Sequence, residues 1–180
     1  MNRSRIQFWR LLEPEHAAAE AFCRRLASDR DDGDDLYQDA LVSALGAFEQ
    51  LRDQASFRPW LYRIIVNQFR NRRRSSWFRR RRPWTEQIAE SQRTADPEPT
   101  RAARRRLNAA LGRLSATDRA LVVLFELEGW SIRELAGMTG KTETAIKTRL
   151  ARARKKLRQH LMRQELRPRH SLDEGSAGEI

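Results

Sequence analysis

Apolar residues recur at intervals of three and four along most of this chain, and the strict alternation of a half-buried strand is absent. The pattern predicts helices throughout. A first helix is expected over residues 14–27, with Pro14 in its opening turn, where a missing N–H is harmless, and with Phe22 and Leu26 on one face. The run 31–35, Asp-Asp-Gly-Asp-Asp, is expected to break the chain and to place acids at the positive end of a second helix over 34–48. Leu36, Ala40, Leu41, Ala44, Leu45 and Phe48 form the apolar stripe of that helix. After a polar loop at 52–55, Ser56 is expected to cap a third helix with Phe57, Trp60, Leu61, Ile64, Ile65 and Phe69 on its apolar face. The polar side carries Arg63, Asn67, Arg70 and Asn71 and ends in the arginines 72–74. Three such helices with short connections can close a small bundle.

The periodicity lapses from 75 to 100. This stretch holds the arginines 79–82 and Pro83, Pro97 and Pro99, and reads as an irregular linker. Trp77, Phe78 and Trp84 fit either stacking on bases or packing on a protein surface. Helical pattern resumes near 102 with Leu107, Leu111 and Leu114. Ser115 with Asp118, and Ser131 with Glu134, then read as capping boxes opening two further helices. Leu121, Val122, Leu124, Phe125 and Leu127 supply the core face of the first, and Gly129 suits its end. The chain beyond 162 turns polar and then acidic, and is expected to be a disordered tail.

Residues 131–157 carry the sharpest pattern. Ala136 lets two helices approach, Gly140 can take a left-handed turn, and Ile146 plugs the angle between the helices. Ile146, Leu150, Ala153 and Leu157 make one face of the second helix, while Thr144, Lys147, Thr148, Ala151 and Arg152 make the other. Hydroxyls, charges and one small residue on an outward face are what a helix in a DNA major groove requires. Glu143 suits the helix dipole or a hydrogen bond from a cytosine amino group. Arg149, Arg154, Lys155, Lys156 and Arg158 suit phosphates better than bases. The plainer alternative is a helical hairpin that uses Gly140 only as a cap.

Charge narrows the partners. The 180 residues carry a net charge of +12, which favours a polyanion. Residues 1–60 hold eleven acids against eight bases, however, so a second partner besides DNA is expected for the N-terminal half. Cys23 is the single cysteine, excluding an internal disulfide, and its helix-interior context reads as an inert buried thiol. His16, His160 and His170 are scattered and no Cys/His cluster suggests zinc, so no metal or other cofactor is expected. Nor does the chain show a catalytic constellation, an apolar span for a membrane or a signal-peptide core, and a cytoplasmic protein without enzymatic activity is expected.

The segments Leu114-Ser115, 128–136, Gly140 and 144–154 together resemble the promoter-reading C-terminal domain of bacterial RNA polymerase sigma factors. In the N-terminal half, Asp34-Asp35-Leu36-Tyr37-Gln38-Asp39-Ala40 and Ser56-Phe57-Arg58-Pro59-Trp60-Leu61-Tyr62-Arg63-Ile64-Ile65-Val66-Asn67 resemble the sigma domain that grips polymerase and melts the −10 element. With only these two domains, the chain is similar to the extracytoplasmic-function (ECF) group of the sigma-70 family. The resemblance implies an all-α protein of two small helical domains, an N-terminal bundle at 1–74 and a C-terminal helix-turn-helix at 104–162. An irregular linker at 75–103 would join them and a tail at 163–180 would follow.

It also implies roles. Asp35, Leu36, Gln38 and Asp39 would dock on the β′ clamp coiled coil of core RNA polymerase, with the β flap as a further contact. The loop 52–57, including Ser56 and Phe57, would capture a flipped −10 base, and Arg63, Asn67 and Arg70 would touch the exposed strand. Arg133, Thr142, Glu143, Thr144, Lys147, Thr148, Arg149, Ala151 and Arg152 would read −35 duplex. Trp60 reads as core. Members of this group are often held by an anti-sigma protein, which makes one a candidate partner. Three features depart from the usual pattern: Tyr37 where a small apolar residue is common, Lys141-Thr142-Glu143-Thr144 at the start of the recognition helix, and a basic linker. A stand-alone helix-turn-helix regulator is the rival reading. A recombinase or nuclease fits poorly, because Ser28, Ser43 and Ser56 have no evident activating neighbours.

Overall fold

The computed structural model describes residues 3–27, 29–79 and 98–165. Among them are eight α-helices, three short 3-10 turns and no strand. The side chains of Trp77, Phe78 and Trp84, the remainder of the basic run 79–82, and residues 166–180 of the expected tail lie outside the described residues, while 163–165 are helical rather than part of a disordered tail.

The N-terminal half consists of α1 (Arg3–Leu12), α2 (His16–Leu26), α3 (Arg30–Ala47) and α4 (Phe57–Arg79). The helix α1 was not expected, because charges and aromatics interrupt its stripe. Yet Phe8 and Leu12, one turn apart, are buried, and the Phe8 ring meets Phe48 and Phe57 edge to face. The acidic run does not break the chain either. Asp29 caps α3 by accepting from the Asp32 amide at 2.7 Å, so Asp31 to Asp35 all lie inside the helix, near its positive end. Gly33 permits this, since a Cβ there would stand 2.6 Å from the Arg24 Cα of α2. The third helix is also capped differently. Asp53, not Ser56, caps the turn before α4, accepting from the Ala55 amide and the Ser56 hydroxyl. That helix then continues past 74 to Arg79, and the next begins at Glu98, so both ends of the expected irregular linker are helical.

The C-terminal half follows expectation closely. It holds α5 (Glu98–Gly112), α6 (Ala116–Glu126), α7 (Ile132–Thr139) and α8 (Glu143–Glu165). Ser115 caps α6, Ser131 and Glu134 form a reciprocal capping box on α7, and Gly129 and Gly140 adopt left-handed φ values of 69° and 67°. Leu135, Met138, Ile146, Leu150 and Ala153 close the angle between α7 and α8.

Both halves share one continuous core. The faces of α2 and α4 pack against α6 and α7, and Tyr62 lies against Trp130 with ring centroids 4.8 Å apart. Among the described residues no helix is long and apolar enough to cross a membrane.

Candidate nucleic-acid interface

On α8 the outward face forms as the spacing predicts. Glu143, Thr144, Lys147, Thr148, Arg149, Ala151 and Arg152 are all exposed, opposite the buried Ile146, Leu150 and Ala153, and Arg133 of α7 and Thr142 just before α8 are exposed as well. Three of the nine also bond within the protein, Thr148 among them through its hydroxyl, which donates to the Thr144 carbonyl at 2.9 Å. The Thr142 hydroxyl accepts from the Ala145 amide at 3.2 Å and so caps α8. Arg149 donates to Asp118 at 2.5 Å, tying α8 to the start of α6. Burial alone would raise the Asp118 pKa, but hydrogen bonds from Ser115 and Arg149 hold it below the ordinary carboxylate range.

The second candidate face lies on α4 and the loop before it. Leu51, Arg52, Asp53, Ser56, Pro59, Trp60 and Arg63 line a cleft of about 380 Å³, whose far wall includes Gly137 of α7. Trp60 is half-buried, packed on Phe57 and Phe48 yet lining the cleft, so it belongs to core and surface at once. Ser56, Asn67 and Arg70 are exposed, and Arg70 donates to Asn67. Phe57 corrects the expectation. It is 3 % exposed, stacked among Phe8, Phe48 and Trp60, and its ring is unavailable to a base. Arg63 is also engaged, its Nε donating to the Met138 carbonyl at 2.6 Å and its Nη2 to the Gly137 carbonyl at 3.0 Å.

A third surface lies on α3. Asp35, Gln38 and Asp39 are exposed there, with Asp39 paired to Arg72. Leu36 is not on this surface. It is 1 % exposed and packs in the core, because α3 turns Leu36, Ala40 and Ala44 to α2 and α4. The unusual Tyr37 also points inward, bonded through its hydroxyl to Nδ1 of His16 at 2.7 Å. Cys23 is fully buried, and burial pushes its thiol pKa up, which keeps it protonated and inert.

Sequence reasoning passed over the residues that join the halves, above all Arg58, Arg73 and Arg119. Arg119 is 3 % exposed, and desolvation, aided by Arg73 nearby, pushes its pKa down to about 10. The one available signal was an arginine interrupting the apolar face of α6.

Comparison with known proteins bears on what these faces serve. Residues 11–79 match the family model for sigma-70 region 2, and residues 104–157 match that for sigma-70 region 4. The ECF RNA polymerase sigma factor SigM of Mycobacterium tuberculosis is 34% identical over 153 residues, covering 85% of this chain and 76% of that protein. This chain is an ECF sigma factor of the sigma-70 family. The RNA polymerase sigma factor NccH of Alcaligenes xylosoxydans xylosoxydans is 32% identical, covering 83% of this sigma factor and 84% of its own chain. Among solved structures, CnrH in complex with the cytosolic domain of CnrY aligns with a TM-score of 0.62 and 28% identity, over 88% of this chain and 90% of that one. As a sigma factor the protein works with core RNA polymerase and promoter DNA to direct promoter-specific transcription initiation. A stand-alone regulator is not favoured, because it leaves the region 2 match unexplained.

Proposed function

We propose that the two halves divide promoter recognition between them. Arg133, Thr142, Glu143, Thr144, Lys147, Thr148, Arg149, Ala151 and Arg152 meet −35 duplex, and Lys147 and Arg152 are the base readers among them. Arg149, bound to Asp118, serves a phosphate from a fixed position. The cleft beside Ser56 and Trp60 takes a base from the opened −10 strand, with Asn67, Arg70 and Arg63 along the backbone of that strand. Asp35, Gln38 and Asp39 dock on the β′ clamp, with Leu36 holding their helix in place from beneath. The observation that carries this reading is the outward face of α8, whose seven reading residues from Glu143 to Arg152 are exposed while its apolar side is buried.

The groove between α5, α6 and α8, lined by Leu107, Leu111, Leu127, Leu157 and Met162, is the apolar surface this half offers to the β flap. CnrH was solved bound to CnrY, and we extend to this chain a protein partner that restrains it. The protein acts in the cytoplasm, beside the polymerase, and contributes recognition without catalysing a reaction itself.

Run-off transcription with core polymerase tests the whole reading, and initiation that depends on this chain is the expected result. Failure to bind core or to direct initiation overturns it. Asp35→Arg is expected to abolish core binding while leaving helix content unchanged, and unchanged affinity for core removes Asp35 from the clamp contact.

A further inference from the structure

The helix α1 has two faces, and the core uses one of them. Phe8 and Leu12 are buried, with the Phe8 ring held against Phe48 and Phe57. Arg3, Arg5, Ile6, Trp9 and Arg10 are turned outward. Helical spacing joins them into one face, with Ile6 and Trp9 between the arginines. Ile6 is 44 % exposed and Trp9 51 %. The Trp9 ring stands nearly perpendicular to Phe8 with centroids 5.3 Å apart, so a packed core residue orients it.

Stability does not account for this face. Arg3 and Arg5 lie in the first turn of α1, at the positive end of the helix dipole, where a cation is unfavourable. Exposing Ile6 and Trp9 forgoes the gain that their burial would bring. No acid of α1 answers its three arginines, and among the described residues the ion pairs of this half run through Arg24, Arg25, Arg30, Arg58 and Arg72 instead.

Position supplies the partner. The helix packs on the turn Phe48–Gln50, which leads straight into Leu51, Arg52 and Asp53 of the −10 cleft. Phe8 touches Phe57, and Phe57 touches Trp60 in the cleft wall, so two rings stand between Trp9 and Trp60.

We propose that the outward face of α1 is a second single-strand contact: the strand leaving the −10 cleft runs over α1, where Trp9 stacks on an unpaired base, Ile6 packs beside it and Arg5 and Arg10 neutralise phosphates. The inference rests on the −10 reading above, which puts the strand in the cleft, and it concerns a face that precedes the region 2 match, which begins at residue 11. Stacking on an aromatic ring tolerates any base, so this contact adds affinity without sequence preference. A lipid surface fits less well, because Phe8, Leu11 and Leu12 are already packed on the core and leave Ile6 and Trp9 alone to enter a bilayer.

The test uses the full chain and the anisotropy of a labelled mixed-sequence single strand, with circular dichroism to check that each variant is folded. Trp9→Ala is expected to weaken strand binding by about tenfold. Arg5→Gln combined with Arg10→Gln is expected to weaken it too, and to reduce the slope of log affinity against log salt by about 1.4, or about 0.7 for each phosphate. Asn67→Ala, on the −10 face, is the reference and is expected to weaken binding of the same strand. Parent affinity in both α1 variants, with Asn67→Ala weakened, overturns the α1 contact and leaves the −10 assignment standing. Weakening by the α1 variants with none by Asn67→Ala overturns the −10 assignment and the shared path of the strand with it. An equal loss for Trp9→Ala on duplex of the same sequence overturns stacking, because paired bases offer Trp9 no face. Unchanged strand affinity with weaker binding to core polymerase, or to phosphatidylserine vesicles, overturns the proposal in favour of a protein or a lipid surface. No strand binding by the parent at low salt overturns both strand contacts. Should Trp9→Ala fail to fold, the double arginine variant gives the answer, and an unchanged salt slope overturns the proposal.

Discussion

The helices α4 and α8 are each 23 residues long, and each pairs an apolar stripe with a basic face, yet the structure treats the two basic faces differently. The α8 residues proposed to read DNA stay exposed, with Arg149 alone among them tied down by an acid of its own half. On α4, Arg58, Arg63 and Arg73 all reach into the opposite half. Helical spacing determines which side chains share a face, because it is a local property of the backbone. Whether that face meets solvent or another helix depends on contacts more than seventy residues away along the chain, as between Arg63 and Met138. A basic stripe therefore identifies a candidate interface without revealing what occupies it first.

The largest expected effect comes from removing the ring that joins the halves. Trp130 is 2 % exposed and packed on Tyr62, so Trp130→Ala should cost about 3–5 kcal/mol in denaturant unfolding. If the contrast between the helices arises at the boundary, hydrogen exchange in this variant should speed up along α4 and the end of α7 while the middle of α8 keeps its protection. Equal acceleration in both helices would erase the contrast. Next come Lys147→Ala and Arg152→Ala, which should each lose ~1–3 kcal/mol of base discrimination at the −35 element with an unchanged unfolding midpoint. A fall in stability would show that the face of α8 is committed to packing after all, and equal losses on every DNA sequence would make these residues phosphate contacts.

A smaller effect separates local from long-range support. Ser131→Ala removes the hydroxyl that accepts from the Glu134 amide, while the main-chain amide at 131 can still donate to Glu134, and should lower stability by about 1 kcal/mol, measured by urea unfolding. The smallest effect is set by pH. The Asp118 carboxyl, and the Glu134 carboxyl through the amide and hydroxyl of Ser131, are both held below their ordinary values of 3.8 and 4.5. Their stabilisation is complete above those values and is lost as pH falls through the lower folded ones. An acid titration of stability should thus be slightly shallower in Ser131→Ala, which keeps the amide bond to Glu134 but loses the hydroxyl bond, and identical slopes would leave the Ser131 hydroxyl without this role.

Much of the C-terminal half was legible in the sequence because its signals are local. Ser115, Ser131, Gly129 and Gly140 act on backbone within a few residues of themselves. The N-terminal half was harder to read because tertiary contacts outweighed local rules. The acidic run 31–35 carries a glycine that looks like a breaker, but Gly33 is there for the crossing with α2. Phe57 and Leu36 sit inside motifs whose neighbours are exposed, and a motif does not say which of its members face the core. The partners of Arg63, Arg73 and Arg119 could not be read from the sequence, since they are main-chain carbonyls that any residue supplies.

Gly33 has a wider reach than its size suggests. The 18-residue helix it opens is a rod about 27 Å long, and Asp35, Gln38 and Asp39 stand on its surface within two turns of the crossing. With no Cβ the rod can lie directly on the Arg24 backbone, and this contact acts as a fulcrum that sets the height and tilt of the acidic edge. Gly33→Ala would lever that edge outward. With the clamp contact proposed above, the change should appear as weaker polymerase binding, although Gly33 itself is buried.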